Sequence, residues 1–137
     1  MRRQTVVHTI EPVFDARSRV LFLGTMPSPK SREQGFYYGH PQNRFWAVLA
    51  GVLGADTPLG VEQRRAFLLA HGVAVYDVLH SCEIVGAADS SIQNAVPNDL
   101  SPILGGADIR AIFTTGGKAH ALYQKYCLPV TGRADIP

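Results

Sequence analysis

An apolar, β-rich run, Arg19 to Leu23 (RVLFL), stops at Gly24 and is followed at once by Thr25-Met26-Pro27-Ser28. Bounded by polar residues, such a run reads as a strand buried on both faces of a sheet. Two further runs have the same character, Val73 to Val78 (VAVYDV) and Arg110 to Thr115 (RAIFTT). Asn43 to Leu53 carries Phe45, Trp46, Val48, Leu49 and Val52 at helical spacing and ends at Gly54. Val61 to His71 is a second helical pattern, with Ala66, Leu68 and Leu69 inward and Gly72 as its stop. Gly116-Gly117 turns into a third, from Lys118 to Tyr126. Strands alternating with helices predict an α/β fold, a short parallel sheet with helices on both faces. Asp89 to Pro102 is polar and turn-rich, and Asn98-Asp99-Leu100 suits the cap of a short helix. Leu128-Pro129-Val130 reads as the approach to a fourth strand. Three strands would leave open edges, so a C-terminal piece beyond Asp135-Ile136-Pro137 is expected to be missing.

One domain over residues 1–137 accommodates this plan. Lys and Arg number 13 against 11 Asp and Glu, and the resulting +2 does not announce a nucleic-acid binder. Two cysteines, Cys82 and Cys127, cannot make a four-cysteine metal site and read as buried thiols in a reducing cytosol. No apolar run approaches membrane-spanning length, and the start MRRQTVVHTIEP lacks the apolar core of a secretory signal. A cytoplasmic location is therefore expected, with no membrane partner.

The chemistry-bearing residues cluster between Gly24 and Trp46, and at Asp77. The Gly24 to Ser28 turn can aim backbone amides at a carbonyl or phosphate oxygen, or simply connect a strand to a helix. It lacks the Gly-Lys-Ser/Thr of a Walker loop and is no dinucleotide fingerprint. Phe36, Tyr37 and Tyr38 interrupt a polar loop. Two of them suffice to plug the core, leaving one to stack on a flat ring. Asn43 opens a helix, where it can cap the backbone or hold a water and a substrate. His40 can serve as an acid or base, or as a structural group. Asp77 ends a strand at the same sheet edge as Gly24. Ionised, it only accepts hydrogen bonds, so it suits a ring N–H and rejects a bare ring nitrogen. It could equally cap a helix from Val78 onward. Neither a Ser/His/Asp triad spacing nor a metal-ligand cluster is present in the sequence.

GTMPS followed by GFYYGHPQNRFW resembles the uracil-DNA glycosylase superfamily, and within it the hypoxanthine-DNA (deoxyinosine) glycosylases, which share a Gly-x-Met-Pro and an Asn-x-Phe-Trp motif. The likeness runs on through GVAVYDVLHSCEIVGAADSSIQNAVPNDL and IRAIFTTGGKAHALYQKY, from Val20 to Tyr126. Mismatch-specific glycosylases share HPxNRFW but carry Asn where this chain has Met26. The resemblance implies a three-layer αβα sandwich around a mostly parallel four-stranded sheet, its last strand missing or incomplete here. It implies hydrolysis of the N-glycosidic bond of a deaminated base in single- or double-stranded DNA, hypoxanthine or uracil, as a base-excision repair step by a monomer without metal or cofactor. Asn43 becomes the catalytic carboxamide. Tyr38 becomes the base-stacking ring and Asp77 the group at the base edge. Gly24, Thr25, Met26 and Ser28 form the pocket turn, and Lys30, Ser31 and Arg44 are candidates for the DNA backbone. The family's Ser- and Pro-rich DNA-contacting motif after the last strand has no counterpart before Pro137. The competing reading is a non-catalytic nucleotide- or DNA-binding domain in which Asn43 only caps a helix.

Overall fold

The structure, a computed structural model, describes residues 3–40, 43–86 and 88–137. Its elements are β1 (Arg3–Val7), β2 (Val20–Gly24), α1 (Pro29–Gln34), α2 (Phe45–Leu53), α3 (Gly60–Ala70), β3 (Val73–Asp77), β4 (Leu79–Val85), β5 (Gln93–Pro97), α4 (Ser101–Gly106), β6 (Ala111–Thr114), α5 (Gly117–Leu122) and α6 (Leu128–Thr131). A 3₁₀ turn at Asp89–Ser91 precedes β5, and a π-helical turn at Tyr123–Cys127 joins α5 to α6.

The three predicted strands form one parallel sheet in the order β3-β2-β6. Their side chains alternate between two cores. Leu21, Leu23, Ala74 and Ile112 face Ile103, Leu122 and Tyr123 from α4, α5 and the π-helical turn. Val73 and Val75 face Trp46, Leu49, Phe67 and Leu68 of α2 and α3. Helices therefore cover both faces, the α/β layering expected of alternating strands and helices.

Several expectations from the sequence give way to the observed fold. A second, antiparallel sheet, β1-β4-β5, extends the first core through Val6, Leu79, Cys82 and Ile84. The polar stretch 89–102 thus contains an edge strand as well as turns. Its exposed side chains are Gln93, Asn94 and Val96, on the flank that meets solvent. Leu128-Pro129-Val130 is helical rather than extended: Pro129 sits in the first turn of α6, where no N–H is needed, and Gly132 closes it at φ 67°. In α3 the inward pair is Phe67 and Leu68, while Ala66 is exposed. Of the Asn98-Asp99-Leu100 triplet, Leu100 is the N-cap with no side-chain bond, and Asp99 accepts from the Ser101 N–H at 3.0 Å just before the helix. Asn98 is buried instead, its amide donating to the carbonyls of Asp77 (2.9 Å) and Leu79 (3.0 Å).

The parallel sheet's outer edges are partly covered. Val13 bridges Val75 antiparallel, and Ile136 bridges Phe113 in parallel, the beginning of a fourth strand position. The neighbouring Asp135 anchors that segment. Its side chain is fully buried and accepts from Thr114 Oγ1 (2.6 Å), His120 Nδ1 (2.7 Å) and Gln124 Nε2 (2.8 Å). Burial pushes its pKa up, but the three donors win and hold it below the usual carboxylate range. A depressed folded pKa adds stability above the unfolded value of about 3.9, and that stability is lost as pH falls through the folded pKa. Asp135→Ala is expected to cost about 1–2 kcal/mol at neutral pH, because it orphans the buried Thr114 hydroxyl and breaks the bonds to the more exposed His120 and Gln124. Urea unfolding should show the deficit shrinking below about pH 4. An equal deficit on both sides of that pH would mean that the side chain acts by packing alone.

Candidate active site

β2 and β3 pair so that Gly24 lies opposite Asp77 at their carboxyl ends. The ladder continues past the strands: Val78 N–H donates to Gly24 O (2.8 Å) and Leu79 N–H to Thr25 O (3.1 Å). On the other side Thr115 N–H donates to Leu23 O at 2.9 Å. Asp77, Gly24 and Thr115 thus stand side by side at one sheet edge, the position where open α/β sheets hold ligands. A cavity of about 170 Å³ opens there, lined by these three, by Thr25 to Ser28, and by Tyr38 and Asn43.

Gly24 leaves room for its neighbour. A Cβ at this position would stand 2.6 Å from Asp77 Oδ1, so only glycine lets the carboxylate reach the turn. The turn runs straight into α1, which Ser28 caps by accepting from Ser31 N–H at 3.1 Å. The Ser31 hydroxyl is not on the surface. It is 1% exposed, accepts from Gly39 N–H at 2.9 Å and from the Ser28 hydroxyl at 3.2 Å, and ties the aromatic loop to α1. Ser31 also lines the cavity. Arg44 is exposed at the start of α2. The Lys30 side chain, and Pro41 and Gln42 of the HPxNRFW motif, lie outside the described residues.

In the aromatic loop Tyr37 and Tyr38 both line the cavity. Phe36 and Tyr37 are buried, with Tyr37 donating to the Glu11 carbonyl at 2.9 Å. Tyr38 turns the other way. Its φ is +50°, a left-handed conformation that a bulky residue adopts only when its surroundings impose it. Trp46 Nε1 donates to the Tyr38 carbonyl (3.1 Å), and the Tyr38 and Thr115 hydroxyls lie 3.2 Å apart. Phe45 stacks on one face of the Tyr38 ring, centroids 3.9 Å apart and planes 11° apart. Tyr38 itself lines the cavity, and Phe45 does not.

Asn43 is exposed at the cavity mouth, and its Oδ1 accepts from Phe45 N–H at 2.9 Å. That donor identifies which end of the carboxamide is oxygen. What Asn43 retains for the cavity is chiefly its NH₂ group, two donors. His40 is exposed, and its carbonyl accepts from Asn43 N–H at 2.9 Å.

Asp77 is 4% exposed, and burial holds its carboxyl above the usual range, with His8 pulling against the rise. His8 Nε2 lies 2.8 Å from Asp77 Oδ2. The same carboxylate, after burial, helps raise the phenols of Tyr37 and Tyr38, which are therefore neutral. Sequence reasoning missed His8, although Val6, His8 and Ile10 alternate inward at strand spacing, all buried. It also gave no place to Asp89. Asp89 lines the rim of the cavity, where burial raises its pKa and Lys118 opposes the rise. Ser91 holds the 3₁₀ turn beside it, accepting from Val85 N–H at 2.8 Å. Both cysteines are free and buried. Among the described residues no group of three or more His, Cys, Asp or Glu could hold a metal ion, and no helix is long and apolar enough to cross a membrane.

The chain is similar to known proteins in sequence and fold. The hypoxanthine DNA glycosylase of Methanosarcina barkeri is 28% identical over 114 residues, spanning 82% of this chain and 72% of that protein. A protein of the same name from Methanosarcina acetivorans is 30% identical over 90 residues, 65% of this chain and 57% of that protein. A solution NMR structure from Methanosarcina acetivorans, described as a candidate uracil DNA glycosylase, superimposes with a TM-score of 0.82 at 26% identity, over 98% of this chain and 83% of that one. The family model of the uracil DNA glycosylase superfamily matches residues 11–135, and the chain belongs to that superfamily.

Proposed function

We propose that this chain hydrolyses the N-glycosidic bond of a deaminated base in DNA, with hypoxanthine the preferred base. The observation that carries the reading is the convergence of Asp77, Tyr38 and Asn43 on one cavity at the carboxyl edge of the parallel sheet. A base must leave the duplex to reach such a cavity, and deaminated bases pair weakly, which lowers the cost of extrusion. The flipped ring stacks on Tyr38, a contact worth about 1–3 kcal/mol. Asp77 Oδ1 accepts from the ring N–H that hypoxanthine and uracil carry and adenine lacks. That contact separates hypoxanthine from adenine and uracil from cytosine; guanine and thymine also carry a ring N–H, so cavity shape has to exclude them and to separate purine from pyrimidine. Preference for hypoxanthine rests on Met26 in the turn and on the names of the two Methanosarcina relatives.

In the reaction the bond from C1′ to the base nitrogen breaks and a bond from C1′ to a water oxygen forms. The electron pair of the broken bond passes to the base, and the water gives up a proton to solvent or base. Negative charge gathers on the base in the transition state. The Asn43 NH₂ supplies a preorganised donor to that charge or to the attacking water. The start of α2 adds the positive end of a helix dipole at the same place.

Duplexes carrying a single deoxyinosine or deoxyuridine, incubated with the protein and then heated in alkali, test the reading. Strand breaks are expected only at the modified position, faster at deoxyinosine. Intact strands in both duplexes would overturn the assignment and leave a binding domain.

A further inference from the structure

His8 follows β1 and lies outside residues 11–135, the stretch that matches the family model. Its side chain is 1% exposed and edge-on to Tyr76, ring centroids 5.0 Å apart. Nε2 meets Asp77 Oδ2, while Nδ1 is buried with no hydrogen-bond partner among the described residues. An orphaned ring nitrogen is a cost that a purely structural histidine usually avoids. The other Asp77 oxygen, Oδ1, points at Gly24 on the cavity wall.

Resting on the reading of this cavity as a base pocket, we propose that His8 is a positioning residue for specificity. By engaging Oδ2 it confines the shared proton to the buried side of the carboxyl and keeps Oδ1 a bare acceptor. The pocket then takes a base with a ring N–H and refuses adenine.

The proton of the pair has two places: on Nε2, donating to an ionised carboxylate, or on Oδ2, donating to Nε2. In both, Oδ1 carries no proton. The other titratable groups near the carboxyl cannot substitute. Tyr37 gives its hydroxyl to the Glu11 carbonyl and Tyr76 to Asn98 Oδ1, the Tyr38 hydroxyl meets that of Thr115, and Asp89 across the cavity is an acid. Among the described residues His8 is the one hydrogen-bond partner seen for the Asp77 carboxyl. Without it, burial favours the neutral acid, whose proton is free to sit on Oδ1. The acceptor becomes a donor that matches the bare nitrogen of adenine and clashes with the N–H of hypoxanthine.

Single-turnover excision of hypoxanthine, followed from about pH 5 to about pH 9, reads this directly. His8→Phe is expected to move the acid limb upward by about one pH unit or more, a loss of about tenfold at the acid end that alkali recovers. Inhibition by free adenine should appear at that acid end. His8→Gln, whose amide N–H reaches Oδ2, should return the limb towards the wild-type position. Should the Phe variant not fold, His8→Asn serves, since its amide falls short of Oδ2. A loss equal at every pH, with the limb unmoved, would overturn the proposal and leave His8 a packing residue. Carbon-13 NMR titration of the Asp77 carboxyl gives the same reading without turnover: its midpoint should rise in His8→Phe, and an unmoved midpoint overturns the proposal. A raised midpoint in a protein that excises no base would support the His8–Asp77 coupling and overturn the base-excision reading instead.

Discussion

Asn43→Ala is expected to slow base excision by about 10²–10³, the usual cost of removing one preorganised donor from a developing negative charge. The same change removes a backbone acceptor. Asn43 Oδ1 receives the Phe45 N–H at the start of α2, so the variant should also lose about 1 kcal/mol of stability. The two roles belong to opposite ends of one carboxamide and can be separated. Asn43→Ser keeps an oxygen for the Phe45 N–H and lacks the NH₂. It should regain most of the stability and none of the rate. Single-turnover excision of deoxyinosine beside a thermal melt distinguishes the cases. A serine variant that recovers both would show that the carboxamide only caps the helix, which is the non-catalytic reading of this domain. Asn43→Asp sharpens the contrast, because it caps as well but places a negative charge where the leaving base gathers its own.

The parts of this molecule visible in its sequence are those where burial wrote a pattern. β2, β3 and β6 are short apolar runs because both of their faces are covered, and each ends within a residue or two of its run. The helix α1 is silent to periodicity because PKSREQ has no apolar stripe. Its signals are terminal ones, Ser28 as cap and Gly35 at φ 71° as stop. β5 is a polar edge strand with Asn94 at φ 52°, a local break that hides its alternation. At the site, strand ends and a helix start suffice to gather Gly24, Asp77 and Asn43. Partners far apart along the chain do not announce themselves. His8 reaches Asp77 across 69 residues, and Asn98 clamps the Asp77 carbonyl from 21 residues on. Nothing local in Asn98 distinguishes a clamp from a helix cap. Tyr38, Tyr37 and Phe36 look alike in sequence; a backbone turned to positive φ at Tyr38 sends one of them the other way.

Gly24→Ala is expected to abolish measurable excision, a loss of at least about 10². The added Cβ would meet Asp77 Oδ1 at 2.6 Å, while Thr115 Oγ1 and the Tyr38 hydroxyl stand at ordinary contact distances of 3.5 and 3.6 Å. The carboxyl is not free to yield. His8 holds its other oxygen at 2.8 Å, and the Asn98 amide holds its backbone carbonyl at 2.9 Å. Either the carboxyl turns and gives up His8, or β2 and β3 part where Gly24 pairs with Asp77. Both routes displace the acceptor from the base edge, and overpacking of this kind costs about 1–3 kcal/mol of stability. A double-mutant cycle isolates the cause. In an Asp77→Ala background the clash has no partner, so Gly24→Ala should add little further destabilisation there. Equal penalties in both backgrounds would place the fault in the backbone of the turn, and would mean that the glycine is needed for the bend itself rather than for the carboxylate that leans over it.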